Sequence, residues 1–288
     1  MDLLLNLCTA IHAAALMAWF GALSLRRVLG AGQGSGEIRF LQVCGAVALL
    51  SGALWPWLKS GVLGEGPGAA WDPDQVAVVL MQTTFGRTWL MREACIVAAA
   101  LATVAPLLSI GRAVYFLVVA GLASLALLGH AASGSGMAGS ALRLILAVHL
   151  LAAGAWVGAL PALWVLAGRL AAADLVKVLR LFSRYGVFLV VVVIASGGLT
   201  AWSRTGSLPV LLGTDYGQIL LAKLFLVGLM GLAAIANRNV YTPRLGNDDS
   251  FVQAGARDGL RRSLAIELVL GVAVIFVAVW LGAAEAPR

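Results

Sequence analysis

Charge is scarce in this sequence. Lys and Arg together number 20 and Asp and Glu 13 in 288 residues, 11% of the chain. An ordinary soluble domain carries about 25% charged residues, so that class is excluded. Cysteine is nearly as rare: Cys8, Cys44 and Cys95 include no closely spaced pair, which excludes a disulfide framework and a C-x-x-C redox motif. Cys44 and Cys95 read as packing residues. Gly32, Gly34 and Gly36 lack the preceding strand and the Lys-Ser/Thr of a phosphate loop, so they read as a loop and no nucleotide-driven pump is expected. No nucleophile–base constellation stands out, and most acidic residues fall in loops or at helix ends, so an enzyme is not expected. Histidine occurs three times, at His12, His130 and His149.

Apolar sequence fills the space that charge leaves. The chain is 61% hydrophobic with a mean hydropathy of +0.96. A crossing of the hydrocarbon core needs roughly 20 residues. On that measure the sequence predicts an all-α polytopic membrane protein of eight transmembrane helices, over 3–25, 40–61, 88–110, 113–132, 142–168, 183–203, 216–237 and 263–283. Met1 and Asp2 lead straight into the first apolar run without a basic segment, so no cleaved signal peptide is expected. The net charge of +7 is distributed by side rather than gathered for nucleic acid. Thirteen basic residues, among them Arg26, Arg27, Arg180, Arg184 and Arg262, fall in one set of loops and seven on the other side. The positive-inside rule puts the richer set in the cytoplasm and both termini outside. The connections 62–87 and 238–262 read as surface loops.

The chain also repeats itself. IHAAALMAWFGAL at 11–23 and VHLLAAGAWVGAL at 148–160 agree at seven of thirteen positions, including His12/His149, Trp19/Trp156 and Gly21/Gly158. Ser51-Gly52-Ala53-Leu54 with Trp57 is echoed by Ser196-Gly197-Gly198-Leu199 with Trp202. Thr84-Phe85-Gly86 with Leu90-Met91-Arg92 is echoed by Asp215-Tyr216-Gly217 with Leu221-Ala222-Lys223. The blocks keep their order, predicting two parallel four-helix repeats, 1–135 and 136–288, about a pseudo-two-fold axis along the membrane normal.

Histidine is costly in hydrocarbon, and its recurrence in register calls for a role. His12 and His149 lie roughly 10–15 Å into spans entered from outside, at 1.5 Å per residue. His130 lies at the outer end of the fourth span. Cys8, His12 and Trp19 share one face of the first helix through their spacings of four and seven. A thiolate or thioether beside imidazole suits Cu(I), and imidazole alone also suits Cu(II) or zinc. Met137, in the flexible AASGSGMAGS segment, and Met81 could pass a soft ion inward; both are equally ordinary packing residues. The competing role for each histidine is an interhelical hydrogen bond. Trp19 and Trp156 either shield a site or anchor an interface. Gly154 and Gly158 read as close helix packing. Arg92 and Lys223 either snorkel outward or hold a carboxylate such as Glu93. Glu267, one turn into the last span, either pairs with a loop arginine or serves a proton or ion exit path, and the pairing is the reading favoured.

The H-x6-W-x-G-A-L stretches, TTFGRTWLMR at 83–92 and GHAASG at 129–134 resemble the CopD family of bacterial inner-membrane copper resistance proteins. That resemblance spans essentially the whole chain. It implies eight spans, copper movement across the cytoplasmic membrane, histidine motifs at His12, His130 and His149, and cooperation with a separate periplasmic carrier of the CopC type. Two other readings remain open. One is a b-type cytochrome with His12 and His149 as axial ligands. The other is a copper-binding membrane scaffold that does not conduct.

Overall fold

The computed structural model describes residues 1–30, 35–64, 66–104, 111–128 and 136–284. Long helices dominate: α1 (Asp2–Leu29), α2 (Ser35–Leu63), α5 (Thr84–Val104), α6 (Arg112–Ala123, extended by a tighter turn Ser124–Leu127), α7 (Gly136–Val157), α9 (Ala172–Thr205), α11 (Asp215–Ala236) and α13 (Ser250–Ala283). Short helices join them: α3 (Pro67–Ala70), α4 (Pro73–Gln82), α8 (Leu160–Arg169), α10 (Leu208–Gly213) and α12 (Thr242–Leu245). No strand occurs among the described residues.

Six helical stretches are long and apolar enough to cross a membrane, with α7 and α8 counted as one and α11 running on to Leu245. The other two expected spans are α5, whose 21 residues include Arg87, Arg92 and Glu93, and the shorter apolar stretch Arg112–Leu127. The outward faces are apolar. Leu50, Phe188, Val191, Ile194, Phe225 and Val269 are all exposed, far more contiguous apolar surface than a water-facing monomer carries.

Two expectations about connections are corrected. The segment 62–87 is largely helical rather than loop, because Pro67 and Pro73 sit in first helical turns, where a missing N–H costs nothing, and Asp72 caps α4 by accepting from the Asp74 N–H. The segment 238–262 is helical too. A wide turn over Asn237–Tyr241 precedes Pro243, and Asp249 caps α13 by accepting from the Phe251 N–H. The span expected at 142–168 also breaks between Val157 and Leu160, with Pro161 opening α8. The apolar pattern runs through the break, and Pro161 is its mark in the sequence.

α1 is central and packs on α2, α6, α7 and α13. The pairing α1 on α2 is matched by α7 on α9, α5 on α6 by α11 on α13, and α1 on α13 by α7 on α6. α1 and α7 meet glycine to glycine. A Cβ on Gly21 would strike the Gly158 backbone, and one on Gly158 would strike the Met17 carbonyl. Only glycine allows so close a crossing. Trp19 is fully buried and lies over Gly45 of α2.

The short-helix turns match as well. Thr83 accepts at Oγ1 from the Gly86 N–H at 3.0 Å, and Thr214 from the Gly217 N–H at 3.1 Å. Each hydroxyl donates back to the preceding helix, to Val79 O or Val210 O. Gly86 and Gly217 lie against the carbonyls of Leu80 and Leu211, where a Cβ would not fit.

At the end of the bundle away from the termini, arginines seat on rings and carbonyls. Arg27 lies 3.9 Å over Tyr115, Arg261 lies 4.6 Å over Trp164, and Arg257 donates to Ala167 O at the end of α8.

Candidate metal centre

His12 sits on α1 with its ring fully buried against α2. Its Nδ1 lies 3.0 Å from Ala48 O and 3.1 Å from Ser51 Oγ. Ser51 donates its own hydroxyl proton to Val47 O at 2.6 Å. Both neighbours of Nδ1 are therefore acceptors, and Nδ1 must carry the imidazole proton. Nε2 is left with a bare lone pair, and it is buried with no hydrogen-bond partner. Such an orphaned acceptor costs about 1–3 kcal/mol of desolvation, which a bound cation would offset.

His149 repeats this arrangement on α7 and α9. Its Nδ1 lies 3.2 Å from Val193 O and 3.1 Å from Ser196 Oγ, and Ser196 donates to Val192 O. Its tautomer is the same for the same reason. Nδ1–H held by an oxygen, with Nε2 free, is how most metal-binding histidines are oriented.

The surroundings differ. Trp55 packs edge-on to His12 with ring centroids 5.2 Å apart, and Phe85 backs Trp55 at 5.9 Å. Arg92 is 1% exposed rather than snorkelling. Its guanidinium lies 4.4 Å over the Trp55 ring, and its Nε is 3.8 Å from Glu93 Oε1. Glu93 in turn lies against Gly52, where no side chain would fit. Pro56 has no N–H to offer the Gly52 carbonyl, and the Trp89 indole N–H takes its place at 2.9 Å.

His149 instead lines a cavity of about 390 Å³, with Lys223 close enough to act on the ring electrostatically. His12 does not line that cavity, although Trp55 does.

The other candidates lie as follows. Cys8 is buried and donates from Sγ to Ser51 O at 3.1 Å, so Cys8 and His12 both converge on Ser51. Met137 is 89% exposed on the first turn of α7. Trp156 is buried in the apolar core. His130 lies outside the described residues. No group of three or more His, Cys, Asp or Glu able to hold a metal occurs among the described residues. Glu267 is buried and accepts from the Asn237 amide rather than meeting a loop arginine, because Asn237 opens the wide turn directly beside it.

Sequence reasoning left Ser51, Ser196 and Trp55 without a role. The repeated Ser-Gly pair carried the signal for the serines, since each falls where its helix faces the histidine of the same half.

Family models place residues 176–281 in "Copper resistance protein D" and residues 1–140 in "Copper resistance protein D-like, N-terminal domain". The chain is 30% identical over 285 residues to copper resistance protein D of Pseudomonas syringae pv. tomato, covering 92% of this chain and 90% of that protein. This chain belongs to the copper resistance protein D family. It is also 33% identical over 236 residues to inner membrane protein YebZ of Escherichia coli K12, covering 81% of this chain and 79% of that relative. No solved structure matches it. The family matches cover the His12 clamp and part of the second: His12 and Ser51 fall within the N-terminal match, and Ser196 within the C-terminal one. His149 lies in the stretch between the two matches.

Proposed function

We propose that this chain moves copper across the bacterial inner membrane, with Nε2 of His12 and Nε2 of His149 as its principal ligands. The observation that carries the reading is the pair of matching clamps. Each histidine is fixed as the Nδ1–H tautomer by a serine and a carbonyl one helix away, so each presents an unprotonated Nε2. Neutral imidazole binds Cu(I) and Cu(II) alike. The names of the relatives support the cargo and the membrane: one is a copper resistance protein, the other an inner membrane protein.

The same reading takes the chain as eight spans in two parallel four-helix repeats, 1–135 and 136–288, with α1 and α7 crossing at the pseudo-two-fold axis. The paired helix contacts, the Gly21/Gly158 crossing and the twin threonine turns support it. Both termini face the periplasm, where a separate carrier of the CopC type delivers or collects the ion. His130 and Met137 serve at the entrance and Cys8 beside His12, with Trp19 and Trp156 packing the seam behind the ligands. Transfer proceeds by one repeat rocking against the other, as expected of parallel-repeat transporters. No chemical step is assigned to the chain beyond ligand exchange. A haem held between both imidazoles finds less support, because only His149 lines the cavity.

Copper content and copper uptake test the reading together. Purified wild type should bind copper and carry it into liposomes, and the His12→Ala/His149→Ala variant should lose both. Binding without uptake would favour a scaffold. Iron lost in the variant, with a Soret band, would favour a cytochrome. Equal copper in both proteins would overturn the histidine site.

A further inference from the structure

The cavity beside His149 has basic side chains in its lining. It opens at the end of the bundle where the chain begins and finishes, between Leu5 and Asn6 of α1 and Leu281–Ala283 of α13. Lys59, Arg204 and Lys223 line it, and among the described residues no Asp or Glu does. None of these three cations makes an ion pair among the described residues. Arg92, which holds the position of Lys223 in the other half, is by contrast paired with Glu93.

Hydrogen-bonding groups sit among the cations. Asn6, Thr9, Thr200 and Tyr216 line the same space. The remaining wall is apolar, with Leu146, Leu150, Val274 and Val279 among its residues. Cations that line one partly closed, low-dielectric space and have no ion partner among the described residues favour an anion there. The apolar wall favours an anion that carries hydrocarbon. Pockets of this size, apolar with a few convergent polar groups, are the usual form of a ligand site.

We propose that this cavity binds an anionic amphiphile, its phosphate or carboxylate head between Lys223, Arg204 and Lys59 and its chain along the α7–α13 wall. The proposal rests on the cavity and not on the copper reading. Bound there, the amphiphile neutralises the positive field next to His149 and ties α7, α9, α11 and α13 together at the mouth of the bundle.

Native mass spectrometry of metal-free protein, released from detergent with equimolar phosphatidylglycerol and phosphatidylethanolamine of the same acyl chains, tests it. Wild type should retain the anionic lipid with a roughly tenfold preference, as expected when two or three cations meet one phosphate. Lys223→Gln/Arg204→Gln should bring the preference close to unity, and Lys223→Arg should keep it. Ala278→Trp, which fills the cavity without changing charge, should lose the lipid as well. Retention of the anionic lipid in the presence of millimolar inorganic phosphate supports an amphiphile, and displacement by phosphate overturns it in favour of a free anion. Equal retention of the two lipids by wild type overturns the proposal, as does a preference untouched by both the Gln pair and the Trp. Because no metal is present, either outcome leaves the copper reading to its own test.

Discussion

His12 is fully enclosed: Trp55 lies edge-on to the ring, Arg92 lies over Trp55, and Glu93 pairs with Arg92. His149 instead lines a cavity, and the cation beside it, Lys223, has no carboxylate partner among the described residues. The clamps behind the two rings are nearly superimposable in their distances. What the halves share is the means of fixing a tautomer. What they do not share is access. In the proposed transport reading, the cavity side is where an ion would meet the first imidazole.

The strongest test of the shared part is the crossing of α1 and α7. Gly158→Val places side-chain atoms where the Met17 carbonyl lies, and overpacking against backbone exceeds the usual 1–3 kcal/mol for a crowded core. No folded protein is expected by size-exclusion chromatography. Gly228→Ala, where nothing lies within 4 Å, should behave as wild type.

Next in size is the contrast between buried Arg92 and partly buried Lys223. Glu93→Gln leaves Arg92 with neither a carboxylate nor a hydrogen bond, an uncompensated buried charge costing about 3–5 kcal/mol. Lys223→Gln removes a cation that has no ion partner, so thermal unfolding should place it within about 1 kcal/mol of wild type. Equal destabilisation of the two variants would break the comparison.

The serine clamps come third. Ser51→Ala and Ser196→Ala each keep the histidine but release its tautomer, and should weaken copper binding by about 10–100-fold in a chelator competition assay. If affinity is unchanged in both, the serines do not orient ligands. The smallest effect concerns access itself. Diethyl pyrocarbonate should modify His149 several-fold faster than His12 in metal-free protein, read by peptide mass spectrometry. His12 reacting first would mean that the closed and open sites have been assigned the wrong way round.

Parts of this arrangement were legible in the residues. The apolar runs set the helical class, and the small-xxx-small pair Gly154/Gly158 pointed to close packing, with a Cβ at Gly154 meeting Leu122, Phe20 and Met17. Other parts required helices to be placed side by side. Ser51 is 39 residues from His12 and Ser196 is 47 from His149, so the register of two long helices decides whether they meet. Arg92 reads as a snorkelling residue until Trp55, distant in sequence, supplies a ring beneath it. The link from Trp89 to Gly52 depends on a proline four residues further along α2 that frees a carbonyl for an indole on another helix. The break between α7 and α8 is marked only by Pro161, within residues that are apolar on both sides.

The account turns on which nitrogen of each imidazole is bare. Nitrogen NMR of protein labelled with ¹⁵N-histidine, before and after one-electron-reduced, diamagnetic Cu(I) is added, reads that directly, with His12→Ala and His149→Ala spectra assigning the signals. Both residues should give the Nδ1–H pattern without metal, and both Nε2 signals should move on adding Cu(I) while Nδ1 stays protonated. A proton on Nε2 of either residue, or Nε2 signals indifferent to Cu(I), would contradict the account.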